Sequence, residues 1–336
     1  MTIRGVPLCN LLILKTSCQP LTKKTFLNSA FSVSSVVNNL IATDAREFFS
    51  SCRTLIDSEL DRLIPKESEA PQRVHAAIRW SVFAGGKRFR PSLLLATGQT
   101  FGASVEDLLR TACALEMIHA YSLIHDDLPS MDDDELRRGQ PTCHVKFGEA
   151  TAILAGDALQ TLAFQTIAEG RTLKPEICVR IIAEISRAAG TPDGMVAGQA
   201  HDLAAESTEV SSAQLELIHH LKTGALIRAS ARCGAIIAGA SESHLEAITE
   251  YATNLGLLFQ ITDDLLDVTS TAEELGKTPG KDARSRKAAY PALYGLEATQ
   301  AQLKIVYSAA CNALKRLERP TQLLQSIADL ISERQT

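Results

Sequence analysis

Leu108 to Asp134 reads LLRTACALEMIHAYSLIHDDLPSMDDD, an apolar run that ends in two groups of aspartates. Within it Leu108, Ala112, Leu115, Ile118 and Leu123 recur at helical spacing, which predicts a long helix with a broad buried face. A helix buried in a core does not carry bare carboxylates at its end unless cations offset them. A second such place follows at Thr262-Asp263-Asp264-Leu265-Leu266-Asp267, again closing an apolar run. No convincing alternating pattern of strands occurs in the chain, and the predicted class is all-α.

The cation that suits these acids is magnesium. Hard divalent ions take oxygen ligands, and Mg²⁺ keeps several waters while bridging one or two carboxylates to phosphate oxygens. Two facing sets of aspartates would therefore grip a diphosphate between them. Asp263 and Asp267 are four apart and share a helix face, with Asp264 beside them. Asp126 and Asp132 are six apart with Pro129 between, so the chain is predicted to leave the helix and bring Asp132 back. Asp126, Asp132, Asp263 and Asp267 are the candidate metal ligands, accompanied by Asp127.

Working outward, 45% hydrophobic residues in 336 are ample for a large core, and only 5% of residues are aromatic. Ser211-x-x-Gln214 and Ser243-x-x-Glu246 read as capping boxes that start helices. A net charge of −5 leaves no basic footprint for nucleic acid. The eight cysteines lack CxxC spacing and read as small core residues of a reducing compartment rather than a disulfide framework. The longest uncharged apolar segments fall short of the roughly 18 residues of a membrane span, so a cytoplasmic protein is expected.

Residues 1–43 differ in kind. They hold Arg4, Lys15, Lys23 and Lys24 but no acid, so the −5 chain carries −9 beyond them. That is the composition of a plastid or mitochondrial transit peptide; the alternatives are an unstructured extension or a start codon set too far upstream. From residue 44 to 336 there is no linker. Short turns at Pro65 to Pro71, Gly139-Gln140-Pro141, Gly190-Thr191-Pro192 and Gly276 to Lys281 imply one domain, an antiparallel helical bundle.

Two basic groups accompany the acids. Arg137-Arg138-Gly139 follows the first cluster, and Gly85-Gly86-Lys87-Arg88-Phe89-Arg90-Pro91 lies upstream as a basic turn that opens a helix. Guanidinium forks donate paired hydrogen bonds to phosphate, and two groups imply two phosphorylated substrates. Lys222-Thr223-Gly224 falls inside a helical run, where the lysine either enters a cavity or snorkels outward. Gly276-Lys277-Thr278-Pro279-Gly280-Lys281 reads as a basic lid or a plain loop. A rival reading takes Glu116/His119 and Glu216/His219, both Glu-x-x-His, as the ligands of a di-iron bundle.

Together these segments resemble the trans-isoprenyl diphosphate synthases over nearly all of the chain from about residue 45. The two aspartate motifs of that family match Asp126-Asp127-Leu-Pro-Ser-Met-Asp132 and Asp263-Asp264-Leu-Leu-Asp267, and its basic motif matches Gly85 to Pro91. The resemblance implies an all-helical isoprenoid synthase fold around a central cavity, a homodimer, and three Mg²⁺ ions, replaceable by Mn²⁺, on the allylic diphosphate. It also implies that Lys87, Arg90, His119 and Arg138 bind isopentenyl diphosphate. Arg137, Lys222, Thr223, Gln260, Lys277 and Lys287 would contact the allylic substrate, and Asp126, Asp127, Asp132, Asp263, Asp264 and Lys222 would serve catalysis. Ala288-Ala289-Tyr290 departs from the family, which commonly has threonine before the tyrosine. Relatives that act as non-catalytic subunits typically lose an aspartate motif, and both are intact here.

Product length is written near the first cluster. Tyr121 lies five residues before Asp126, about 7.5 Å along a helix axis, where a ring would floor a growing chain. Tyr121 and Ser122, with the insertion marked by Pro129, are similar to the pattern of bacterial-type farnesyl diphosphate synthases. The resemblance thus implies a C15 product made from dimethylallyl and then geranyl diphosphate. Geranylgeranyl synthesis is the alternative.

Overall fold

The computed structural model describes residues 44–205, 210–269 and 289–333. The segment 1–43 and the expected lid with Lys277 and Lys287 lie outside the described residues.

The fold is all-α, as the apolar periodicity predicts. Helix α1 (Ala45–Leu63) is started by Asp44, whose carboxylate accepts from the Arg46 and Glu47 amides. It leads through α2 (Gln72–Val82) and α3 (Phe89–Thr100) to the central α4 (Val105–Asp126). Ser104 caps α4 by accepting from the Asp107 amide. Leu108, Ala112, Leu115 and Ile118 are fully buried, but so are Thr111, Cys113, Ala114 and Met117, so α4 is enclosed on nearly every side. A helix surrounded by others loses the polar stripe that a surface helix keeps.

After α4 comes the one sheet among the described residues. Leu136–Arg137 pairs antiparallel with Gln140–Pro141 as β1 and β2, joined at Arg138 and Gly139, which both have positive φ. Helices α5 (Cys143–Phe147), α6 (Glu149–Ala168), α7 (Pro175–Ala189) and α8 (Met195–Ala205) follow. Next are α9 (Ser212–His219), a π-helical turn at His220–Gly224, α10 (Ala225–Ile237) and the long α11 (Glu242–Thr269). The chain closes with α12 (Tyr290–Tyr294), α13 (Leu296–Lys315) and α14 (Gln322–Ser332).

The layers follow from the contacts. α4 packs on α6 and α3, α10 lies across α3 and α11, and α11 packs on α13. Ser211 and Gln214 form the expected capping box: each side chain meets the other residue's backbone N–H. The second expected box is shifted. α11 begins two residues earlier than Ser243-x-x-Glu246 implies, because Ser241 accepts from the His244 amide. The cysteines at 52, 113, 143, 178, 233 and 311 are free thiols, the first five buried. Among the described residues no helix is long and apolar enough to cross a membrane.

Candidate active site

The last turn of α4 delivers the first acidic cluster. The helix stops at Asp126, and the chain turns so that the Asp132 amide donates to the Asp126 carbonyl at 2.8 Å. That backbone bond returns Asp132 to its partner, as the proline between them predicts. Burial, with the charges of Asp132 and Asp127, pushes the Asp126 carboxyl up to about 6, while Lys222 pulls in the other direction. Acids so crowded need a countercharge, and their donor atoms are all hard oxygens.

Around Asp126 lies a cavity of about 440 Å³. Arg90, His119, Tyr121, Ser122, Lys222 and Thr223 line it, so residues far apart in sequence meet as expected. Met131 from the turn and Met195, Val196 and Leu203 from α8 supply apolar wall. Tyr121 is buried and edge-on to the His125 ring, with centroids 5.9 Å apart. Burial pushes its phenol up to about 12, so the ring stays neutral. The Ser122 hydroxyl donates to the His119 carbonyl at 2.9 Å and is thus tied to its own helix.

A second cavity, about 760 Å³, adjoins the first. Lys87, Arg90, His119 and Arg138 line it, and Arg90 and His119 belong to both walls. The Gly85-Gly86 turn holds this group together. Arg138 donates to the Gly85 carbonyl, and its guanidinium covers Gly86 so closely that a Cβ there would lie 2.8 Å from Nη1. The apolar side is a ladder of rings, Phe49 to Phe89 at 5.9 Å and Phe89 to Phe259 at 5.4 Å. Arg90 Nε is buried with no hydrogen-bond partner. Burial works against its charge, whereas Glu116 and Asp263 favour it. A buried guanidinium donor between two cavities has the chemistry to hydrogen-bond an anion. Burial, then the charges of Arg90, Arg138, Arg137 and Arg88, hold His119 well below the ordinary imidazole range, so it is neutral.

Several of the expected residues lie away from the Asp126 cavity. Asp127 does not face the cavity: it is 3% exposed and its carboxylate is closed on Arg137. Arg137 is thereby held at the hairpin and does not line the Asp126 cavity. Asp264 likewise accepts from the Tyr290 amide at 2.8 Å and anchors α12. The di-iron reading fails because Glu116 is occupied: Arg88 Nη1 donates to it at 2.6 Å, both side chains being buried. His219 stacks on Tyr290 at 5.6 Å, and Glu216 faces a separate surface groove, so the two Glu-x-x-His pairs do not converge. Asp263, Asp267 and Gln260 share α11; Gln260 lines neither cavity.

Other residues appear only in three dimensions. Gln199 lines the Asp126 cavity with both amide atoms buried and unpartnered, and Asp202 binds Lys222. Their spacing of three on one helix was the available sign, too common to notice without the fold. Arg88, read as part of a basic phosphate turn, is 3% exposed and forks between Asp57 at 2.8 Å and Glu116.

A family model described as polyprenyl synthetase matches residues 71–327. The farnesyl diphosphate synthase of Escherichia coli (strain K12) is 45% identical over 299 residues, covering 87% of this chain and 99% of its own. The geranylgeranyl diphosphate synthase of Cyanophora paradoxa is 43% identical over 284 residues, 84% and 94% of the two chains. Among solved structures, an FPP/GFPP synthase from Zymomonas mobilis superposes with a TM-score of 0.76 at 36% identity, covering 86% and 98%.

Proposed function

The chain belongs to the polyprenyl synthetase family, and from that premise we propose that it condenses isopentenyl diphosphate with dimethylallyl and then geranyl diphosphate to give (2E,6E)-farnesyl diphosphate. It is a prenyltransferase of isoprene biosynthesis. The finer reading rests on one observation: Arg90, with an unmet buried donor, and neutral His119 wall both cavities, so two diphosphate esters can lie side by side across them.

The allylic diphosphate fits the Asp126 cavity. Asp126, Asp132, Asp263 and Asp267 would hold Mg²⁺ there. Among the described residues no three such side chains converge on one point by themselves, so diphosphate oxygens and water would complete each ion's shell. Bound there, Mg²⁺ supplies positive charge to the oxygens of the departing diphosphate. Lys222 and Arg90 add fixed charge on the same leaving group, without any protein nucleophile. Lys87, Arg90 and Arg138 would hold the isopentenyl diphosphate, with its five-carbon tail against Phe89 and Phe259. Neutral His119 can donate one hydrogen bond without adding a charge to repel the allylic cation. Met131, Met195 and Leu203 keep water from that cation.

Tyr121 beneath the cavity favours a C15 product over C20. We take residues 44–336 as the catalytic domain, working in the cytoplasm as a homodimer. Val145, Ile153, Leu154 and Val179 of α5, α6 and α7 are 45–67% exposed, apolar side chains that a second copy would cover. Light scattering of the purified protein tests the dimer. The function is tested by incubating the enzyme with labelled isopentenyl diphosphate, each allylic primer and magnesium, and sizing the products. Farnesyl diphosphate is expected; geranylgeranyl diphosphate as main product would overturn the chain-length reading, and no elongation the whole of it.

A further inference from the structure

Lys222 sits in the π-helical turn His220–Gly224, where the helix is widened by one residue and a side chain is re-aimed relative to an α-helical course. Helix α8 packs directly on this turn. A Cβ at Gly198 would strike the backbone of Leu221 and Lys222, so the two elements approach as closely as glycine alone permits. Asp202 lies four residues further along α8, on the same face. Its Oδ2 accepts from Lys222 Nζ at 2.6 Å, the side chains being 22% and 25% exposed. α8 therefore grips Lys222 twice, at the backbone by Gly198 and at the ammonium by Asp202.

We propose that Asp202 is a positioning residue for Lys222, setting the ammonium at the cavity wall and acting on the allylic diphosphate only through it. This rests on the prenyl-transfer reading above. A lysine side chain has four rotatable bonds, and Asp126 is near enough for each charge to act on the other. Freed from Asp202, Nζ is drawn toward Asp126 and loses its defined place. Held at Asp202, it spends one of its three N–H donors and keeps two for phosphate oxygens.

The experiment is a double-mutant cycle of Asp202→Asn with Lys222→Met, reading equilibrium binding of inorganic diphosphate in magnesium chloride, Michaelis constants for both substrates, and Tm. Asp202→Asn is expected to weaken diphosphate binding and raise KM for dimethylallyl diphosphate about tenfold. KM for isopentenyl diphosphate and Tm should not move, and the substitution should add nothing in the Lys222→Met background. Asp202→Glu, which keeps the carboxylate, should recover most of the loss. An equal loss with and without the lysine, a parallel rise in both Michaelis constants, or no change at all would overturn the proposal. Should Asp202→Asn not fold, the cycle with Asp202→Ser carries the same outcomes. Wild-type protein that elongates nothing would sink the functional reading, while the binding cycle would still decide the role of Asp202.

Discussion

Arg137 closes on Asp127 as a fork: Nε lies 2.8 Å and Nη2 2.6 Å from the same carboxylate oxygen, Oδ1. The second acid of the first cluster is thereby spent on holding the β1–β2 hairpin to the end of α4, while Asp126 lines the cavity. Asp127→Ala strands a guanidinium about a third exposed, and the loss should be about 2–4 kcal/mol of folding stability. Chemical denaturation reads this directly. The magnesium concentration that half-saturates activity should stay where it is; a large shift would make Asp127 a metal ligand after all.

Glu116 and Arg88 form the deepest charged pair, at 2.6 Å with side chains 4% and 2% exposed, and Asp57 completes the group. Removing one partner leaves a buried charge unpaired, so Glu116→Ala should cost about 3–5 kcal/mol. Replacing Arg88 and Glu116 together by apolar residues of similar volume should cost much less. Iron analysis of the wild-type protein should find none. Stoichiometric iron lost on Glu116→Ala would restore the di-iron reading.

Tyr121 is the one phenol ring among the residues that line the Asp126 cavity. Tyr121→Ala removes the floor, and the principal product should lengthen from C15 to C20 or beyond when resolved by chromatography and mass spectrometry. Because the ring is buried, the same change should lower stability by about 3–5 kcal/mol. Product size unchanged in a folded variant would place the stop elsewhere.

Asp126 should make the metal-free protein less stable at neutral pH. Its folded pKa, about 6, lies above the ordinary carboxyl value, so the ionised form costs stability above pH 6 and the cost fades as pH falls through 6. Asp126→Asn should therefore stabilise the metal-free protein at pH 7.5 by about 1–2 kcal/mol, allowing for solvent screening, and give no gain near pH 4. His119 acts in the opposite sense. Its depressed folded pKa means that the unfolded chain takes up a proton as pH drops below about 6.5, so acid removes stability, and His119→Gln should remove that part of the slope. Urea midpoints of the two variants across pH 4 to 7.5 separate the terms. A destabilised Asp126→Asn at pH 7.5 would contradict the first.

The helical class, the acids closing two buried runs, and the return of Asp132 around Pro129 were all legible in the chain, because periodicity, charge and proline geometry act over a few residues. So was the meeting of Arg90, His119, Tyr121, Lys222 and Asp126, through resemblance of motifs. The division of labour within those motifs was not legible. Asp126 and Asp127 are adjacent identical residues, and only the angle at which α4 ends sends one to the cavity and the other to Arg137. Arg88 and Arg90 look alike in the basic turn, yet one is bound by Glu116 from α4 and Asp57 from α1 while the other is left with an unmet donor. A residue's own chemistry fixes what it can bind; which partner reaches it first depends on contacts between segments 10 to 31 residues apart, and those exist only once the core has packed.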